Sequence, residues 1–339
     1  MGGAQGVSIF FVLSGFLMVY AYQDRSLSTD WLASIKFSWR KIKKLYPLHI
    51  VMMILAIPYE IHRSGISGAT LLKAISSILL IESWIPTFEY YGSFNGVAWY
   101  LSATAFLYFM YPFIQNLQKK YKSNASAIYA MTLTYIIMIA VTFFNRNAFI
   151  VSDYPDNCYW LAYTFPLLRL GDFFIGSNLG YLFINSKRPA DKDANKTIIV
   201  VAQIVTLIIC LFSAKIYTSP NFLLGEPWCK YTILWIPSSV MLVYLFARQD
   251  GVFAVLSNNR ILQYIGDVSP YTFLVHEMNV IYIMLIADKY IKASFVTSGV
   301  TWYLYLLLLA VVAFVATIIE TKIWLKFVQD KVSFPKFLS

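Results

Sequence analysis

Long apolar stretches separated by short polar connections set the pattern of this chain. Nine of them, at 6–22, 45–61, 97–115, 125–144, 163–184, 197–216, 229–247, 268–287 and 299–319, are each about long enough to cross a bilayer. The last is the clearest: Gly299 to Ile319 reads GVTWYLYLLLLAVVAFVATII and contains no charged side chain. A helix on the surface of a soluble core keeps a polar face, and this one has none. The segment 68–84 differs, being amphipathic and interrupted by Lys73; an interfacial or re-entrant helix is expected there instead of a span. The gaps between spans are too short for an independent core, and no internal repeat, heptad run or low-complexity tract is evident. The pattern predicts an all-α fold, a polytopic membrane helical bundle of about nine transmembrane helices, in a single integral-membrane domain over 1–339.

Composition agrees. Of 339 residues, 59% are hydrophobic and 13% charged, about half the charge fraction of a globular domain. Aromatic residues make up 18%, and Tyr and Trp favour the headgroup zone. The formal net charge is +10. In a soluble protein that would suggest nucleic-acid binding. Here the basic residues sit between spans, so no nucleic-acid partner is expected and membrane lipids are. Nineteen Lys and Arg fall on one set of connections and the tail, against seven on the other set. The bias predicts that the richer side, C-terminus included, is cytoplasmic. An odd number of spans then puts the N-terminus outside, although no cleavable signal is visible after MGGAQG; one further span upstream is expected. Three cysteines and three histidines are scattered. No metal ligand set has usable spacing, and a bridge between Cys158 and Cys229 has no spacing framework behind it. Neither a phosphate-cradling Gly loop nor a dinucleotide fingerprint is present.

Five motifs stand in order along the chain: GVSIFFVLSGFLMVY (Gly6 to Tyr20), WRKIKKLYP (Trp39 to Pro47), AWYLSATAFLYFMYP (Ala98 to Pro112), PLLRLGDFFIGSNLG (Pro166 to Gly180) and YIGDVSPYTFLVH (Tyr264 to His276). Together they resemble the acyltransferase-3 family of membrane O-acyltransferases. The resemblance implies about ten core helices, of which this chain carries all but the first. It also implies transfer of an acyl group, usually acetyl from acetyl-CoA, to a hydroxyl of a cell-surface or exported glycan, in the bacterial inner membrane. Acetyl-CoA would be a co-substrate; no resident cofactor is implied. The partners would be acyl-CoA, a glycan or lipid-linked sugar acceptor, and membrane lipids. The family's first helix carries an Arg and a catalytic His that nothing here matches. Lys44 stands where the family has a second Arg, Thr104 where it often has Glu, and Asp172 where it has Glu.

The intramembrane polar residues are where chemistry is to be sought. Arg40 and Lys44, in a run of four basic residues, suit the phosphates of CoA, Arg as a planar fork and Lys as a point charge. They share one face if a helix begins early enough; the same run also serves as a topology anchor on anionic lipid. His276, near mid-span, suits proton exchange and is the tentative catalytic residue, with a structural imidazole as the alternative. Arg169 and Asp172, three apart, are expected to pair on one helix face, as a structural ion pair or to orient an acyl carbonyl. Ser14, Gly15, Trp99, Ser102 and Ser269 complete the expected pocket. Gly15 would let another helix or a pantetheine arm approach, and Trp99 reads as an interface anchor before a sugar platform. No serine has a nucleophile-elbow context. Two other classes fit the same pattern: a transporter or flippase, and an inactive acyltransferase fragment.

Overall fold

The computed structural model describes residues 2–146, 159–186, 194–217, 227–248, 259–290 and 300–328, and every regular element among them is helical. In chain order these are α1 (Gly2–Tyr22), α2 (Trp31–Ile42), α3 (Tyr46–Ser64), α4 (Gly68–Ile78), α5 (Phe88–Tyr91), α6 (Trp99–Gln118), α7 (Asn124–Phe144), α8 (Pro166–Asn185), α9 (Ala194–Tyr217), α10 (Pro227–Lys230), α11 (Ile236–Ala247), α12 (Arg260–Tyr290) and α13 (Val300–Phe327), with short 3-10 or π turns between some of them. The chain is a multi-pass helical membrane protein. Six helices are each long and apolar enough to cross a bilayer, and the α2–α3 pair, bent by 67°, makes a seventh if it is one span. The two other expected spans have physical reasons to fall short. α6 has 20 residues but is diluted by Tyr, Trp, Gln and Asn. The stretch at 229–247 is broken, and its longest apolar helix runs only over Ile233–Ala247. The segment expected to be interfacial or re-entrant contains α4, which packs on α3. His49 on α3 donates through Nε2 to the Ser77 carbonyl at 3.0 Å, and the Tyr46 hydroxyl donates to Ile78 O at 2.9 Å. α4 closes with Leu80 at φ 55°, the left-handed position glycine usually takes after a helix.

Two compact units divide the chain. One comprises Met1–Ser38, Ser83–Phe88 and Ser102–Gln263; the other comprises Trp39–Glu82, Glu89–Leu101 and Tyr264–Ser339. In the first, α8 is the central helix: more than half of its residues are buried, whereas on α7 only Ala127, Met138 and Thr142 are. Its closest partner is α1, and glycines explain why. A methyl on Gly15 would lie 2.8 Å from Ser177 N, and one on Gly176 only 2.6 Å from the carbonyl carbon of Val12. The two backbones therefore touch directly, the small-residue contact typical of helices in lipid, where no hydrophobic force holds them. Val12, Phe16, Leu179 and Val243 pack around the crossing.

The second unit has its own core. Leu48, Met52, Met53 and Ala56 of α3, Phe94 of the α5–α6 connection, Leu274, Val275 and Met278 of α12 and Trp324 of α13 form one cluster. Pro270 interrupts α12 and cannot donate to the Gly266 carbonyl one turn back. The Ser269 hydroxyl takes that acceptor instead, at 2.9 Å, one of the ways a membrane helix repairs a proline break.

Candidate functional site

In the first unit the polar centre is built on a break in the helix. Residues 160–164 form a π-type turn, and Phe165 is extended (φ −65°, ψ 120°) before Pro166 starts α8. The residue before proline is pushed out of the helical region, which explains the break. Breaks leave carbonyls without partners, and side chains take them here. Arg169 Nε donates to Tyr163 O at 2.7 Å and Thr232 Oγ1 donates to Ala162 O; Trp160 O, which keeps the Phe165 N–H at 2.9 Å, also accepts from Thr164 Oγ1 at 3.2 Å. Arg169 Nη1 reaches Asp172 Oδ2 at 2.9 Å and Ser8 Oγ at 3.2 Å, and Nη2 reaches Tyr231 O at 3.4 Å. The guanidinium also lies 5.6 Å from the Phe11 ring centre and 5.1 Å from that of Tyr163. Both partners of the ion pair are fully buried. The expected pairing of Arg169 and Asp172 is there, and its geometry is that of a structural plug: the guanidinium donors are engaged by the protein itself. Asp172 Oδ1 is left without a hydrogen-bond partner.

The other expected pocket residues of this unit also serve packing. Gly15 admits α8. Ser14 is half-buried on α1 and hydrogen-bonds to Tyr108. Ser102 shares a 2.6 Å hydrogen bond with Ser83, whose carbonyl accepts from Trp160 Nε1 at 3.0 Å.

In the second unit the basic run straddles a bend. α2 ends at Ile42, residues 43–45 form a turn, and α3 begins at Tyr46. The single helical face expected for Arg40 and Lys44 therefore does not form, because the helix has ended between them. Arg40 lies in the last turn of α2, where a cation complements the carbonyl end of the helix, and Lys44 lies in the turn; both are exposed. His276 Nδ1 is 2.6 Å from Phe273 O. A carbonyl can only accept, so Nδ1 carries the proton and Nε2 of the neutral ring has the free lone pair. Trp99 is 4% exposed and meets Tyr100 edge to face at 6.3 Å, so it is neither an interface anchor nor an open platform. Ser269 repairs the Pro270 break. Cys158 lies outside the described residues, and Cys229 is buried. Among the described residues no group of three His, Cys, Asp or Glu could hold a metal ion.

Three acids were not anticipated. Glu60, fully buried, accepts from Arg63 at 2.9 Å, from Ser64 at 2.9 Å and from the Phe94 backbone N–H at 3.3 Å, with Lys73 Nζ at 3.5 Å. Lys73 reaches on to Glu89 at 3.2 Å. Glu277 accepts from the Val97 N–H and keeps Oε2 buried and unpartnered. Glu82 is buried with neither oxygen partnered. Lys73 looked like an interruption of an amphipathic helix; the signal missed was Glu60, thirteen residues upstream on α3.

Comparison with known proteins agrees with the order of the motifs. The model of the acyltransferase domain family matches residues 1–321. The chain belongs to this family. Acyltransferase MdmB of Streptomyces mycarofaciens is 27% identical over 183 residues, which are 51% of this chain and 45% of that protein. The chain thus spans about half the length of MdmB. An uncharacterised protein of Haemophilus influenzae is 26% identical over 68% of this chain and 96% of its own length. The regulator of hypoxia-inducible factor 1 of Caenorhabditis elegans is 24% identical over 93% of this chain and 66% of its own. No solved structure matches the chain. The acyltransferase match covers both compact units, so residues of either unit fall within the family domain.

Proposed function

We propose that the chain transfers an acyl group, acetyl in the simplest case, from acyl-CoA to a hydroxyl of a surface or exported glycan. The family match over residues 1–321 carries this reading. The exposed basic run at the α2–α3 bend supports it, on the side that the charge bias makes cytoplasmic. CoA phosphates would dock at Arg40 and Lys44, whose separation across a turn gives two independent cations instead of one helical stripe. The acceptor hydroxyl oxygen attacks the thioester carbonyl carbon, and its proton passes to Nε2 of His276, the nitrogen left basic by the Nδ1 bond to Phe273. The C–S bond breaks, and the CoA thiolate takes up a proton. Donors aimed at the developing oxyanion would lower the barrier.

The test is label transfer from [14C]acetyl-CoA into the glycan fraction of membranes that contain the full chain. Arg40→Ala with Lys44→Ala should raise the KM for acetyl-CoA about tenfold with little change in kcat, the signature of lost ground-state binding. Transfer with an unchanged KM would remove the docking role, and no transfer from the native chain would remove the reading itself.

A further inference from the structure

Between α6, α7 and α8, in the first unit, lies a cavity of about 560 Å³. Leu117 of α6, Thr134 and Val141 of α7, and Phe165 and Phe174 around α8 mark its extent. Among the described residues that line it, Thr134 alone is polar, and its hydroxyl is spent on Ala130 O at 2.8 Å. The wall therefore offers no side-chain partner to a polar ligand. Ile137 and Leu167 on its rim are exposed. They belong to spans, so that exposure is to hydrocarbon.

Width decides what can enter from the hydrocarbon. Phe165 to Phe174 covers about 13 Å at 1.5 Å per residue. Spread over that length, the volume has a cross-section of about 40 Å², against about 80 Å² for a helix about 10 Å across. A span of a second copy is too thick to enter, and a lipid chain is not. One mouth of the cavity is also charged. The α6–α7 connection, residues 119–123, joins two of the walls just beyond Leu117, on the side that the charge bias makes cytoplasmic. It reads KKYKS and carries no acid. Lys119 donates to Ser26 Oγ at 2.7 Å. Lys120 and Lys122 are exposed and have no hydrogen-bond or ion-pair partner among the described residues. Trp31 of α2 gives the level of this mouth. Its exposed ring meets the lining residue Phe113 at 6.4 Å and Phe109 at 5.4 Å, and tryptophan favours the headgroup zone. An apolar cavity that ends at headgroup level beside two unpaired cations complements an apolar chain with an anionic head.

We propose that this cavity binds one anionic glycerophospholipid from the leaflet on that side. Its chain lies between α6, α7 and α8, and its phosphate meets Lys120 and Lys122. The chain packs on Phe165, the extended residue at the helix break, and so braces the turn whose carbonyls Arg169 and Thr232 hold. The site goes beyond the acyl-transfer reading and does not depend on it.

Two photolabels test it, phosphatidylglycerol and phosphatidylcholine with the same diazirine in one acyl chain. Each is added in trace to the full chain in phosphatidylcholine nanodiscs, irradiated, and its adducts are mapped by mass spectrometry. Adducts of the glycerol lipid should concentrate on the cavity residues and be sparse on α9, whose Ile198 and Leu211 face lipid. Their yield in the cavity should exceed that of the choline lipid about twenty-five-fold, about fivefold for each unpaired cation. Lys120→Gln with Lys122→Gln, both on the surface, should bring the two yields level while the adducts stay in the cavity. Thr134→Phe, which places a ring in the cavity, should expel them at an unchanged melting temperature; if that variant melts early, the lysine pair carries the test alone. Equal yields from the native chain, a preference that survives the lysine changes, cavity adducts undiminished in folded Thr134→Phe, or adducts spread evenly over α9 and the cavity would each overturn the proposal. So would protection of the cavity by inorganic phosphate, or a chain that crosslinks to a second copy there and takes up no lipid label.

Discussion

Replacing Gly176 by alanine is the sharpest probe of how this bundle is held together. The added methyl would stand 2.6 Å from the carbonyl carbon of Val12 and 2.7 Å from its Cα. Ordinary contact begins near 3.4 Å, so α1 and α8 must part by about 1 Å at their crossing, and the clashing atoms are backbone that cannot swing away. A gap of about 0.5–1 Å forfeits a quarter to a half of each dispersion contact along the crossing. Overpacking of this kind costs about 1–3 kcal/mol. In lipid, burial of apolar surface offers no compensation between helices. Gly6 on the same helix is the internal control: a methyl there meets nothing within 4 Å, so Gly6→Ala should be neutral or gain a little helix propensity. The assay is thermal unfolding of the full chain in detergent, read by a fluorogenic maleimide as the buried Cys229 becomes reactive. At about 2–4 °C per kcal/mol for units of 150–250 residues, Gly176→Ala should melt several degrees below the native chain and Gly6→Ala within a degree of it. Equal melting of all three, or equal loss in both variants, would refute the claim that backbone contact at the glycines holds α1 to α8.

Two further variants follow from the same structure. Arg169→Met should cost about 3–5 kcal/mol, the usual effect of stranding one partner of a buried pair, because Asp172 and the Tyr163 carbonyl both lose their donor. The double variant Arg169→Met with Asp172→Leu should recover part of that loss, and a melting series of the two single variants and the double measures the coupling. Glu82→Met should raise the melting temperature, since the carboxylate is buried with neither oxygen partnered and an apolar side chain of similar length removes its desolvation cost; if melting falls instead, Glu82 has a partner that stabilises the fold.

Much of the architecture was legible because the bilayer imposes it: long apolar runs have few alternatives to helices. That α4 is not a span was readable from Lys73, a charge that is costly inside a membrane helix. The polar residues are another matter, and their roles divide according to something a sequence does not print. Arg169 and Ser269 looked like chemistry because polar groups in spans are costly, yet each satisfies a carbonyl freed by a nearby break, at Pro166 or Pro270. The prolines were visible, but which side chain turns back to the orphaned carbonyl depends on rotamers and neighbours. Glu277 went the other way. One residue after His276, it lies about 100° around the helix from the imidazole. What gives it a role is a loop about 180 residues earlier in the chain, brought onto α12 by the Asn95 bond to Leu274. A polar side chain in a span is therefore best judged by its leftover valence once the backbone is satisfied. By that measure Arg169 is spent, His276 retains one nitrogen, and Glu277 and Asn95 each retain an acceptor that the fold leaves unused.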